Sequence, residues 1–122
     1  MWDNIVFAND ETIDDITMQD KVSVLGFFIA DHLRCRRQAH IFHELALAHG
    51  DAYNFVAMDV VECPETVKRF GVTDVPAMVF VRANVPLGGY NGVVKDKHRD
   101  ELVERLAVLQ KTPLEEQFVE DR

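Results

Sequence analysis

The chain has 122 residues, 48% of them apolar and 28% charged, the mix of one globular domain with one core. Its formal net charge of −8 excludes general binding to nucleic acid or to anionic membrane surfaces, since both need a positive face. No apolar run reaches the ~18 residues of a membrane span. The start, Met1-Trp2-Asp3-Asn4, lacks the basic region and small-residue cleavage site of a secretory leader. Two cysteines make no disulfide framework, so a reducing, cytoplasmic compartment is expected.

In chain order, residues 4–7 read as a short strand. Asn9 or Asp10 is placed to cap a helix over 11–18, with Ile13, Ile16 and Thr17 inward. Residues 22–29 form a nearly continuous apolar run of strand formers, which fits a strand buried on both faces. A helix follows over 34–49, where Phe42, Leu45, Ala46 and His49 recur at helical spacing and Gly50 stops it. Residues 53–59 read as a strand. Pro64 then opens a short helix through residue 70, which Gly71 ends. Residues 77–82 and 87–90 make a hairpin. A last helix over 97–111 carries the stripe Leu102, Val103, Leu106, Leu109.

The order β-α-β-α-β-α-β-β-α implies a parallel core sheet with an antiparallel edge. The expected architecture is a three-layer α/β/α sandwich with a central mixed sheet. One domain is expected over residues 1–111, followed by an acidic tail over 112–122. In that tail Thr112-Pro113-Leu114-Glu115 has the form of a helix start, and Leu114, Phe118 and Val119 would share a face. It reads either as a short docking helix or as a frayed acidic end.

Several motifs carry a resemblance. They are Phe27-Phe28-Ile29-Ala30, Cys35 before His40-Ile41-Phe42-His43-Glu44-Leu45-Ala46, Asp59-Val60-Val61-Glu62-Cys63-Pro64, and Phe70-Gly71-Val72-Thr73-Asp74-Val75-Pro76-Ala77-Met78-Val79-Phe80. Together with Gly92, their order and spacing over roughly residues 4–110 resemble the thioredoxin family. The resemblance implies a thioredoxin-like fold, a cis proline at Pro76 and a groove that accepts an extended peptide by strand addition.

The departures from the family pattern cluster in its chemistry. Where the family has two cysteines three apart, this chain has His32 and Cys35, with Leu33 and Arg34 between and Asp31 before them. The positions of the family's buried acid, its accompanying lysine and its helix-kinking proline are Gly26, Ala57 and His40. Dithiol exchange needs an attacking thiolate and a second thiol to resolve the mixed disulfide, so thioredoxin-type disulfide reduction is not expected.

What remains divides into readings that the residues leave open. Cys35 is a candidate catalytic residue with His32, because a helix N-terminus and the cations Arg34, Arg36 and Arg37 favour a thiolate. Against that, a cysteine at this position is buried in the family and inert. Arg34, Arg36 and Arg37 oppose the helix dipole, which points either to an anion-binding edge or to a solvated surface. Phe28, Val60, Val75, Pro76 and Gly92 are the expected partner-binding groove. Cys63 reads as an exposed thiol before a helix start. His40, His43 and His49 read as solvated helix residues. No metal and no cofactor are expected, because His32 and Cys35 supply too few ligands for zinc.

The leading expectation is a redox-inactive, chaperone-type adaptor, a monomer or weak dimer, that holds an extended protein or peptide segment. The rival is a monothiol oxidoreductase or redox sensor acting through Cys35. A metal site shared between two chains is the third.

Overall fold

A computed structural model describes residues 4–30 and 32–117. The expectations for the N-terminal Met1-Trp2-Asp3, for Asp31 and for Phe118 and Val119 lie outside the described residues. The strands are β1 (Ile5–Phe7), β2 (Ser23–Phe28), β3 (Asn54–Asp59), β4 (Ala77–Arg82) and β5 (Val85–Asn91). The helices are α1 (Ile13–Thr17), α2 (Leu33–His49), α3 (Pro64–Arg69), α4 (Arg99–Lys111) and α5 (Leu114–Gln117).

The five strands form one sheet in the order β1-β3-β2-β4-β5. β1 and β2 run parallel to β3, and β4 runs antiparallel to both β2 and β5. β2 is central, which is why nearly all of it is apolar. Side chains alternate across it. Val24 packs with Phe42, Leu45, Phe80, Leu102 and Leu106 on one face. Leu25 and Phe27 pack with Ile13, Val56, Cys63 and Val81 on the other. The expected mixed sheet between helices is the architecture observed.

The boundaries move where side chains compete with the backbone. α1 starts two residues late, because the Asn9 carboxamide accepts the amide protons of Glu11 and Thr12 and holds a turn ahead of it. β5 begins at Val85 and includes Pro86, which an edge strand tolerates. The turn before it places Ala83 and Asn84 at φ of 51° and 63°, the left-handed pair that suits a two-residue hairpin. A 3-10 turn over Asp96–His98 precedes α4.

The Thr112 cap is corrected. Its hydroxyl donates back to the Val108 carbonyl at 2.8 Å and closes α4 instead of opening α5. The Gln117 side chain fastens α5 by donating to the Thr112 carbonyl at 3.0 Å. Arg82, 9% exposed, ties this end together. Its Nε donates to Asp20 at 3.0 Å and its Nη1 to the carbonyls of Leu109 and Thr112 at 3.1 and 2.7 Å.

Candidate functional site

The C-terminal ends of β2 and β3 meet the start of α2. His32 is the extended residue before the helix, with φ −85° and ψ 127°, and Cys35 falls in the first turn. That turn directs the Cys35 side chain inward. It is 2% exposed, and its Sγ accepts the Ile29 amide proton at 3.4 Å. His32 faces solvent. Among the described residues no hydrogen bond or ion pair joins it to Cys35. The candidate catalytic pair is therefore one buried thiol and one exposed imidazole.

Cys63 requires a correction, because it is fully buried rather than exposed. Its thiol donates to the Asp59 carbonyl at 3.0 Å. Burial, helped by the negative charges of Asp10, Asp59 and Glu62, pushes its pKa up to about 11. The cause of its burial lies in another segment. The Asp10 carboxylate accepts the amide protons of Glu65 and Thr66 at 3.1 and 2.8 Å. It thereby caps α3 from outside and draws its start onto α1. The hydrogen bonds from Thr66 hold the Asp10 carboxyl below its ordinary value. Both cysteines are free thiols. They belong to different sides of the sheet, since Cys63 packs with Ile13 and Phe27 while Cys35 sits beside Ala39 and Phe42.

Arg34 separates from Arg36 and Arg37, which line one hollow. Arg34 reaches Asp74 at 3.8 Å, and both groups lie close above Gly92. The other Asp74 oxygen accepts the Val75 amide proton at 3.1 Å. The Val75–Pro76 peptide is cis, and the Gly92 amide donates to the Pro76 carbonyl at 2.8 Å. Gly92 has a φ of 89°, which a side chain would strain. Arg34, Asp74, Val75, Pro76 and Gly92 are thus brought together at one place on the surface. Val60 packs against the same apolar cluster as Val75. Arg36 and Arg37 carry no ion pair to a described residue.

Phe28 lies elsewhere than in the expected groove lining. Its ring folds over Gly26 and meets Phe42 edge-on, 5.6 Å between centroids. There it walls a cavity of about 380 Å³ with Cys35, Ala39, Phe42 and Ala57. Gly26 and Ala57 are direct register partners, so the two positions where the family resemblance implies an acid and a lysine adjoin this cavity and bring no charge to it. No group of three or more His, Cys, Asp or Glu side chains is disposed to hold a metal ion among the described residues. No helix there is long and apolar enough to cross a membrane. Sequence reasoning missed Asp74 beside the cis proline, and it placed Asp10 as a cap of α1 where it caps α3. Only the Asp-Val-Pro run hinted at the first.

The thioredoxin family profile matches residues 4–107. Thioredoxin H5 of Oryza sativa is 35% identical over 75 residues, 62% of this chain and 55% of its own length. A thioredoxin of Alicyclobacillus acidocaldarius is 31% identical over 68 residues, 56% of this chain and 65% of its own length. A thioredoxin of Staphylococcus saprophyticus is 26% identical over 101 residues, 83% of this chain and 96% of its own length. The solved structure of Malassezia sympodialis thioredoxin superposes with a TM-score of 0.74 at 20% identity, covering 87% of this chain and 90% of that one. Because the family profile spans residues 4–107, most of the chain, the chain belongs to the thioredoxin family.

Proposed function

We propose that this protein is a redox-inactive adaptor or chaperone-type module of the thioredoxin family. It holds an extended segment of a partner protein along Val60, Val75, Pro76 and Gly92, as a cytoplasmic monomer or weak dimer. The observation that carries the reading is the contrast at the start of α2. The thiol of Cys35 is turned into the protein, His32 stands where a second thiol is needed, and resolution of a mixed disulfide has no second sulfur. The peptide groove beside it keeps its proline and its glycine.

Arg34 sets the selectivity of this groove. Its present partner, Asp74, is an exposed carboxylate on a loop, and such pairs exchange readily. An acidic side chain of the bound segment takes the place of Asp74, and the freed Val75 amide then pairs with the segment's backbone. The retained groove favours this reading over the monothiol one, because a buried thiol is a poor nucleophile.

The test joins an activity and a binding measurement. Insulin disulfide reduction with dithiothreitol should show no rate above the uncatalysed one. A fluorescein-labelled extended peptide with acidic residues beside an apolar one should bind equally to wild type and Cys35→Ser, and more weakly to Arg34→Glu. Catalytic turnover by the wild type, or binding abolished by Cys35→Ser, would return the protein to the monothiol class.

A further inference from the structure

The cavity under Phe28 shares no lining residue with the Val75–Pro76–Gly92 groove. Its volume of about 380 Å³ lies within the roughly 300–1,000 Å³ of small-molecule sites. Its walls explain why it exists. Gly26 and Ala57 are neighbours across β2 and β3, and Ala39 faces them from α2. Ala39 and Ala57 are small where larger side chains would close the space. The Phe28 ring lies over Gly26, leaving the Ala57 side open.

The rim is charged unevenly. Asp59 and Glu62 stand on the β3 side and Arg36 on the α2 side. Asp59 is already used locally, accepting the Val61 amide proton at 3.0 Å. Arg36 also lines an adjoining open hollow with Arg37, His40, Glu44, Asp96 and Arg99. The two acids of that hollow are both paired within it. Arg99 lies 3.3 Å from Glu44 and 2.7 Å from Asp96, and His40 lies 3.4 Å from Glu44. Arg36 and Arg37 are left without a partner among the described residues. In a chain of net charge −8, the α2 rim of an apolar cavity is thus locally cationic.

We propose that this cavity binds a small amphipathic carboxylate, a medium-chain fatty acid. Its alkyl chain lies among Phe28, Ala39, Phe42 and Ala57, and its carboxylate rests on Arg36 and Arg37. The charge pattern sets the orientation, because Glu62 repels the head group from the β3 rim and the two arginines attract it to the other. A neutral chain gains only the burial, and a cationic one is turned away from the arginines.

Isothermal titration of the whole chain with octanoate, decanoate, 1-decanol and decyltrimethylammonium, each below its aggregation threshold, tests this. Decanoate should bind about an order of magnitude more tightly than decanol and should exceed octanoate by several-fold per methylene added. Arg36→Glu/Arg37→Glu, both exposed positions, should reduce decanoate to the level of decanol. Ala57→Met should fill the space and abolish binding of every chain, with circular dichroism confirming the fold. If Ala57→Met does not fold, Ala39→Met serves the same end from the helix side. The Ile29 amide, hydrogen-bonded to Cys35, should shift in nitrogen-15 spectra on titration. No decanoate binding, equal affinity for decanol, or a charge preference that survives the double reversal overturns the proposal. An acidic leucine-containing peptide that binds here while decanoate does not overturns it as well and assigns the cavity to a protein partner. None of these outcomes depends on the groove, so failure here leaves the adaptor reading standing and failure there leaves this one.

Discussion

Arg34 and Asp74 close over Gly92 at 3.8 Å, and the second Asp74 oxygen holds the Val75 amide proton. The proposed peptide groove is thereby occupied by the protein's own side chains. Asp74→Asn weakens the hold on Arg34, so an acidic extended peptide should bind more tightly, by up to about fivefold. That corresponds to the roughly 1 kcal/mol ceiling of an exposed ion pair. Global stability should hardly change, for the same reason. Fluorescence anisotropy at low and high salt checks it, and the gain should shrink as salt screens the freed Arg34. An unchanged affinity at low salt would mean that Asp74 does not compete for the groove.

Gly26 leads to a second expectation. A Cβ there would lie 2.6 and 2.9 Å from Phe28 ring atoms and 2.9 Å from Phe42. Gly26→Ala therefore has to move the Phe28 ring, an overpacking cost of about 1–3 kcal/mol. Gly26→Asp adds a buried carboxylate whose register neighbour, Ala57, offers no countercharge, and should cost more. Urea denaturation of the two variants gives the order. Equal stability of wild type and Gly26→Asp would mean that Phe28 swings out freely. A His32→Cys variant should accordingly gain little reductase activity, because restoring one thiol does not restore the acid and lysine beside it.

Much of this arrangement was legible in the residues. The strands over 22–29 and 77–82 stood out because β2 and β4 are buried on both faces, and burial leaves a continuous apolar run. Gly26, Ala57 and His32 could be placed through the resemblance to the family pattern. What escaped the sequence depends on contacts between distant segments. Cys63 looked exposed from its own neighbours, Glu62 and Pro64. It is buried because Asp10, more than fifty positions away, caps the helix that follows it. Arg34, Arg36 and Arg37 looked like one cluster along the chain, but a helix turns about 100° per residue, which takes Arg34 to Asp74 and leaves Arg36 and Arg37 together on another hollow. The Ala83-Asn84 turn gave no Asn-Gly signal. Its left-handed backbone is supported by Asn84, whose amide donates to the Thr17 carbonyl and whose side chain accepts the Thr17 hydroxyl at 2.6 Å.

Arg82 makes a stability expectation at the end of the molecule far in sequence from the α2 turn. Its guanidinium satisfies the Leu109 and Thr112 carbonyls where α4 runs out of helical donors. Arg82→Ala removes the charged donor from these carbonyls and from that of Asp20, leaving them only the Gln117 and Gln110 side chains, and should cost about 2–3 kcal/mol. Arg82→Lys keeps the charge but cannot reach both sides, so it should fall between. Thermal melts rank the three proteins, and a Lys variant as stable as wild type would mean that charge alone matters there.

The two thiols give the last expectation, and its sign is fixed by Cys63. Folding raises its pKa from 9.0 to about 11, chiefly by burial. The stability this thiol contributes is complete below about pH 9, where it is protonated in both states. It is lost as pH rises toward 11, because the unfolded chain releases the proton first. Stability should therefore decline between pH 9 and pH 11. Tyr53 adds to the decline in the same direction, since burial raises its phenol as well. Cys63→Ala should flatten the curve in part and leave the Tyr53 share. Alkylation by iodoacetamide, followed by mass spectrometry for each cysteine, reads the same burial kinetically. Both Cys35 and Cys63 should react far more slowly in the native protein than in urea. A Cys35 that reacts quickly when native, with a midpoint below the ~8.5 of a free thiol, would place it on the surface in solution and restore the monothiol reading.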